Sequence, residues 1–164
     1  MGRFLALAML LASMALSGCA TKFKTYDGPE VTRVLVYKSS RRMYLMHHDT
    51  PLAAYAFRLG FTPEGHKAEE GDGRTPEGEY LIDTRNPNSK FHLSVRINYP
   101  NATDVEVARR RGVSPGGDIF IHGTPEPFAA RTDDWTWGCI AVTNDEMEDI
   151  YAMVRDGTPI SIYP

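Results

Sequence analysis

Two residues in the C-terminal third of the sequence are of the right types for a nucleophile and its base. Cys139 lies in Trp135-Thr136-Trp137-Gly138-Cys139-Ile140-Ala141-Val142, and His122 in Ile119-Phe120-Ile121-His122-Gly123-Thr124. A cysteine attacks as the thiolate, and a histidine within hydrogen-bond reach can hold the proton. His122 follows a strand-like apolar run and precedes a glycine, so it is expected at the end of a rigid element, where such a pair can be held in place. Gly138, lacking a side chain, would let a substrate approach the backbone beside Cys139. The N–H groups around Gly138 and Cys139 could then stabilise an oxyanion. The chemistry would be nucleophilic attack by a thiolate, which needs neither metal nor nucleotide, and no cofactor is expected.

The remaining polar clusters read less sharply. His47-His48-Asp49 has no spacing that sets three ligands around one metal, and a solvated turn is the better reading. His66, among the loop signals of Thr62 to Lys67, is expected to face water, with a substrate contact as the alternative. His92 falls in an apolar run and could be core, surface or cleft. Arg109-Arg110-Arg111 closes a predicted helix, where cations suit the macrodipole.

The elements that must position Cys139 and His122 are mostly strands. Val34 to Tyr37 and Met43 to Met46 read as a hairpin around Lys38-Ser39-Ser40, and Ala53 to Leu59 as a third strand. Glu79 to Ile82, His92 to Ile97, Ile119 to Ile121 and Pro159 to Tyr163 continue the pattern. Thr143-Asn144-Asp145-Glu146 is a capping box, followed by Met147, Ile150, Tyr151 and Val154 at helical spacing, with Gly157 as the stop. Thr103-Asp104-Val105-Glu106 repeats that logic before Gly112. Many short strands with two helices predict a mostly β domain, a sandwich or barrel rather than a parallel α/β sheet.

The first eighteen residues are set aside as an address. Met1-Gly2-Arg3 precedes an apolar run from Phe4 to Leu16, too short to span a bilayer as a helix but suited to a secretory signal peptide. Leu16-Ser17-Gly18-Cys19 resembles the lipobox of bacterial lipoproteins, which implies lipidation of Cys19 and cleavage just before it. An ordinary signal peptide with an incidental cysteine is the alternative. Ala20, rather than Asp, favours the outer membrane among lipoproteins of Gram-negative cells. The chain is therefore expected to be exported, periplasmic and held at a membrane by its N-terminal lipid, with residues 19–31 as a lipidated tether and 32–164 as one domain. The sequence has 2 cysteines, so a lipid on Cys19 leaves Cys139 as a single thiol. Such a leftover pairs between molecules or is reactive, unless it is simply buried and inert. A net charge of −3, from 18 basic and 21 acidic residues, argues against a nucleic-acid partner.

Two motifs occur in order across the domain: Gly71-Asp72-Gly73-Arg74-Thr75-Pro76-Glu77-Gly78-Glu79-Tyr80, then His122-Gly123 with Thr136-Trp137-Gly138-Cys139. Together they resemble the L,D-transpeptidase catalytic domain, also called YkuD, from about Thr32 to the C-terminus. The resemblance implies that Cys139 attacks the carbonyl between an L-centre and D-alanine in a peptidoglycan stem peptide, with His122 taking the thiol proton. It implies that the Gly123 carbonyl orients the imidazole and that amides along Trp137, Gly138 and Cys139 face the oxyanion. The acyl group would pass to an acceptor amine or to water. Arg74, Tyr99, Trp135 and Thr136 are candidates for the substrate cleft. Most members carry His before Gly-Cys and Arg two residues after the Cys, where this chain has Trp137 and Ala141. These departures put substrate choice and the balance of transfer against hydrolysis in question. A wall-binding protein that has lost catalysis is a third reading. On the enzyme readings, Cys139 should react faster than a free thiol at neutral pH.

Overall fold

The computed structural model describes residues 21–164. The leader and the Cys19 lipidation site lie outside the described residues. Among the described residues, eight strands and two helices follow in chain order: β1 (Arg33–Tyr37), β2 (Arg42–His47), β3 (Thr50–Ala56), β4 (Gly78–Asn86), β5 (Ser94–Ile97), α1 (Ala102–Arg111), β6 (Phe120–His122), β7 (Ile140–Ala141), α2 (Asn144–Met153) and β8 (Pro159–Tyr163). They form one curled sheet in the order β3-β2-β1-β8-β4-β5-β6-β7. Most neighbours are antiparallel; β1 with β8 and β6 with β7 are parallel. Past the end of β3, Arg58 pairs with Ala141 of β7 and Gly60 with Thr136. The curl therefore brings the two edges of the sheet together beside Cys139.

Alternation along the strands explains which face turns inward. Val34 and Val36 of β1, Met43 and Leu45 of β2, Ile160 and Ile162 of β8, and Tyr80 and Ile82 of β4 all point into one core. Each fully buried aliphatic side chain contributes about 1.5–3 kcal/mol relative to exposure. Helix α2 closes that core with Met147 and Ile150, and it contacts β5 and β6. Its cap is the expected one: the Thr143 hydroxyl accepts from Glu146 N–H, and the Glu146 carboxylate accepts from Thr143 N–H. The helix ends at Met153, with Val154 turned into the core before Gly157.

Several element boundaries differ from expectation, each for a local reason. Helix α1 is capped by Asn101 rather than Thr103: Asn101 Oδ1 accepts from the N–H groups of Thr103 and Asp104, and Asp104 returns the bond to Asn101 N–H. Asp104 is buried under the Tyr80 hydroxyl, which donates to it, while Glu106 is left on the surface with Arg109 and Arg110. Strand β3 stops at Ala56, because Phe57 to Gly60 leaves β2 to meet β7. His92 lies outside β5, with φ at 71°. The expected tether lies against the domain from residue 21: Lys22 Nζ donates to the carbonyls of Pro87 and His92, and Lys24 pairs with Asp149.

Candidate active site

Strands β6 and β7 set the thiol and the imidazole on one side of the sheet. They run parallel with Ile121 opposite Ile140 and His122 opposite Ala141. Partners in register project to the same face, and Cys139, two residues before Ala141, returns to that face. Upstream, Asp118 adopts φ 56° and turns its carbonyl toward the sulfur; Cys139 Sγ–H donates to it at 3.5 Å.

The imidazole is held from behind and caged from the sides. His122 Nδ1 lies 2.7 Å from the Gly123 carbonyl. Nδ1–H donates there, so the Nε2 lone pair is left as the acceptor. The Phe91 ring lies tilted, 4.5 Å from the imidazole, and the Trp135 ring lies 5.8 Å away, nearly edge-on. Trp135 is itself stacked on Phe128 at 4.5 Å. Phe91 is placed by the turn at His92, since Gly123 N–H donates to the carbonyls of both Phe91 and Leu93. Gly123 has no room for a side chain: a Cβ would sit 2.5 Å from Asn144 Oδ1 and 2.9 Å from the Phe91 carbonyl.

Burial dominates both titrations. It pushes His122 below its ordinary value, and the Gly123 bond opposes this without reversing it. Burial pushes the Cys139 thiol up to about 11, with Asp118 adding to the rise and the Phe120 N–H and Lys67 opposing it. By accessible surface the residue is half-buried, which tempers the size of the rise and leaves its direction. At neutral pH the pair is therefore a thiol beside a neutral imidazole.

The Gly71–Tyr80 motif builds the floor beneath Cys139. The Asp72 carboxylate accepts from the N–H groups of Ala68, Glu69 and Arg74 and from Lys67 Nζ. Burial alone would raise it, but these three N–H groups and the ammonium hold it below the usual carboxylate range. Thr75 Oγ1 donates to the Gly138 carbonyl at 2.7 Å. Gly138 adopts φ 119°, and a Cβ there would meet the Arg74 carbonyl at 2.4 Å. Thr136 braces the same loop, donating to the Cys139 carbonyl at 2.7 Å and accepting Gly138 N–H at 3.2 Å. Gly138 N–H is thus already engaged, whereas no acceptor among the described residues takes the N–H of Trp137 or Cys139.

The other sequence candidates separate. Trp135 forms an aromatic wall, and Thr136 is a buried brace. Trp137 is 71% exposed, with its ring edge-on to Phe61. Arg74 contributes its backbone to the floor, while its Nε is buried without a partner. Tyr99 stands in the core instead of a cleft: its hydroxyl donates to the Pro115 carbonyl and its ring packs near Tyr80. His66 bonds the Glu77 backbone and approaches Asp104, and His92 pairs with Glu148. No group of three or more His, Cys, Asp or Glu side chains among the described residues is placed to hold a metal. Phe91, Asp118 and Arg58 escaped the sequence reading. Only Asp118 carried a signal, as the residue closing Gly116-Gly117 before a strand.

The half-barrel thus sets one cysteine just before β7 and one histidine at the end of β6, on neighbouring parallel strands. The profile of the L,D-transpeptidase catalytic domain (YkuD) matches residues 31–162. The chain belongs to that family. Among solved structures it is similar to the helical cell shape determining protein Pgp2 from Campylobacter jejuni, with 27% identity and TM-score 0.64 over 88% of this chain and 51% of that one. Bd1075 from Bdellovibrio bacteriovorus aligns at 23% identity and TM-score 0.59, over 86% and 50% of the two chains. An L,D-transpeptidase from Xylanimonas cellulosilytica shares the fold at 15% identity and TM-score 0.54, over 85% and 63%. The chain spans about half the length of Pgp2 and Bd1075. No curated protein sequence matches significantly.

Proposed function

We propose that the protein remodels peptidoglycan by cysteine acyl transfer, opening an L,D bond of a stem peptide through a thioester on Cys139. The carrying observation is the Cys139–His122 arrangement, with Nδ1 bonded to the Gly123 carbonyl and Nε2 left free on the thiol's face. The thiol proton passes to Nε2 as sulfur attacks the carbonyl carbon. The negative charge that develops on the carbonyl oxygen faces the N–H groups of Trp137 and Cys139. The carbon–nitrogen bond then breaks, and the imidazolium returns its proton to the departing amine. An acceptor amine attacks the thioester, gives up a proton through His122, and leaves with the acyl group as the thiol is restored.

Hydrolysis is the second reading, with water as the acceptor. It is supported by the similarity to a protein named for helical cell shape, because trimming stem peptides reshapes a wall as cross-linking does. The deciding experiment is intact-protein mass spectrometry after mixing with disaccharide-tetrapeptide or a carbapenem. An adduct absent from Cys139→Ala supports the thioester; no adduct with either reagent returns the chain to a wall-binding role. Analysis of the released muropeptides then separates the acceptors, since a new dimer marks transfer and a lost residue marks hydrolysis. We further propose export, with Cys19 as a lipid anchor at the outer membrane. Labelled fatty acid incorporated by the wild type and lost in Cys19→Ala would support it.

A further inference from the structure

Arg58 stands on the same face as the nucleophile, and no carboxylate among the described residues pairs with it directly, Asp133 acting on it only from a distance while paired with Arg131. Its N–H donates to the Ala141 carbonyl and its carbonyl accepts Ala141 N–H, both at 2.8 Å. This is a hydrogen-bonded antiparallel pair, whose side chains share a face. Ala141 is also the register partner of His122. Arg58, Ala141 and His122 therefore form a row across three adjacent strands, with Arg58 and His122 two strand spacings apart, roughly 10 Å. The small side chain between them leaves the long one free to lie over it.

A cleft of about 320 Å³ opens on this row, lined by Arg58, Thr124, Arg131, Trp135, Ala141 and Glu146 among others. Cys139 and His122 do not line it; the Trp135 ring is the wall it shares with the imidazole. The other charged side chains of the cleft are already engaged, though only Arg131 has a counter-ion. Arg131 is paired with Asp133, and Glu146 is committed to the Thr143 N–H and hydroxyl. Arg58 makes no ion pair among the described residues. Its one side-chain hydrogen bond is a long contact of 3.4 Å with the Phe57 carbonyl, and its Nε is buried without a partner. A half-buried guanidinium with an orphaned donor is costly unless something anionic completes it. The planar fork fits a carboxylate through two parallel hydrogen bonds.

We propose that Arg58 anchors a free carboxylate of the peptide substrate in the cleft beside Ala141, making it a specificity-determining residue for the reaction at Cys139. Naming that carboxylate as a stem peptide's rests on the function proposed above; the anion site itself does not. Arg58 thereby selects peptides that end, or branch, in an acid next to the bond held at the thiol.

The test is binding of a stem tetrapeptide ending in D-alanine, as the free acid and as the C-terminal amide, to protein carrying Cys139→Ala. The expected result is tenfold or tighter binding of the acid, with the preference lost when Arg58→Gln is added and partly kept with Arg58→Lys. Ala141→Glu, which would set a carboxylate beside the guanidinium, should abolish it too. An acid-to-amide ratio unchanged by Arg58→Gln, or absent from the start, overturns the proposal. If Arg58→Gln does not fold, Arg58→Lys and Ala141→Glu carry the same comparison. Because binding is read without the thiol, an Arg58-dependent preference alongside a failed acylation would refute the thioester and leave the carboxylate site standing.

Discussion

Burial acts on Cys139 and His122 in opposite directions, raising one and lowering the other, and both directions leave the proton on sulfur. The free protein is therefore expected to alkylate slowly, which reverses what the sequence suggested for an enzyme. Iodoacetamide at pH 7 should modify Cys139 more slowly than free cysteine, with the rate climbing toward pH 11; an inflection near 8.5 would contradict the buried thiol. Acylation by a bound carbonyl, by contrast, lets His122 take the proton as the bond forms, so Cys139→Ser and His122→Ala should fold and fail to turn over. Gly138 gives a second residue-scale prediction. Gly138→Ala meets both a left-handed φ and the Arg74 carbonyl. It should lower stability by about 1–3 kcal/mol and slow carbapenem acylation at least tenfold. Gly157→Ala, with φ 91° and open space around it, should leave acylation unchanged.

Elements carry that local geometry, and they were legible in the sequence to very different degrees. Strand runs and the α2 capping box showed plainly, because apolar alternation and the Thr143/Glu146 pair are local signals. The α1 cap was misplaced by two residues, since Asn101 with Asp104 and Thr103 with Glu106 both satisfy the same spacing and only burial of Asp104 under Tyr80 decides between them. A urea titration separates them: Asn101→Ala should cost about 1 kcal/mol and Thr103→Ala almost nothing. The approach of Arg58 to Ala141 and of Phe91 to His122 had no local signal, because both depend on the curl that brings distant segments together. Thr75 was visible as a motif residue, but its task was not. Its hydroxyl ties the Gly71–Tyr80 segment to the Gly138 carbonyl. Thr75→Val keeps the shape and leaves that carbonyl unpaired, so we expect a loss of about 1–3 kcal/mol together with slower acylation.

At the scale of the whole molecule, the curled sheet shelters titratable groups, and stability becomes tied to pH through them. His122 binds a proton more weakly when folded than in the unfolded chain, where its pKa is about 6.5. Below that pH the unfolded state takes up the proton first, and the folded state loses ground. Asp72 behaves as a carboxylate held by N–H groups and Lys67: its contribution is present above about pH 4 and fades as pH falls through its lower folded value. Acid should therefore act in two stages, an early one from the caged imidazole and a later one from the floor of the site. Thermal melts between pH 7.5 and 3 should show the wild-type Tm falling below pH 6.5. In His122→Gln, which cannot take up the proton, that early fall should be reduced, while the later loss near pH 4 should remain. An identical early fall in both proteins would mean that other groups set the acid response and that the imidazole is not held neutral by its cage. The same measurement reads the site without any substrate, because burial that weakens proton binding at His122 also keeps its Nε2 available to the thiol.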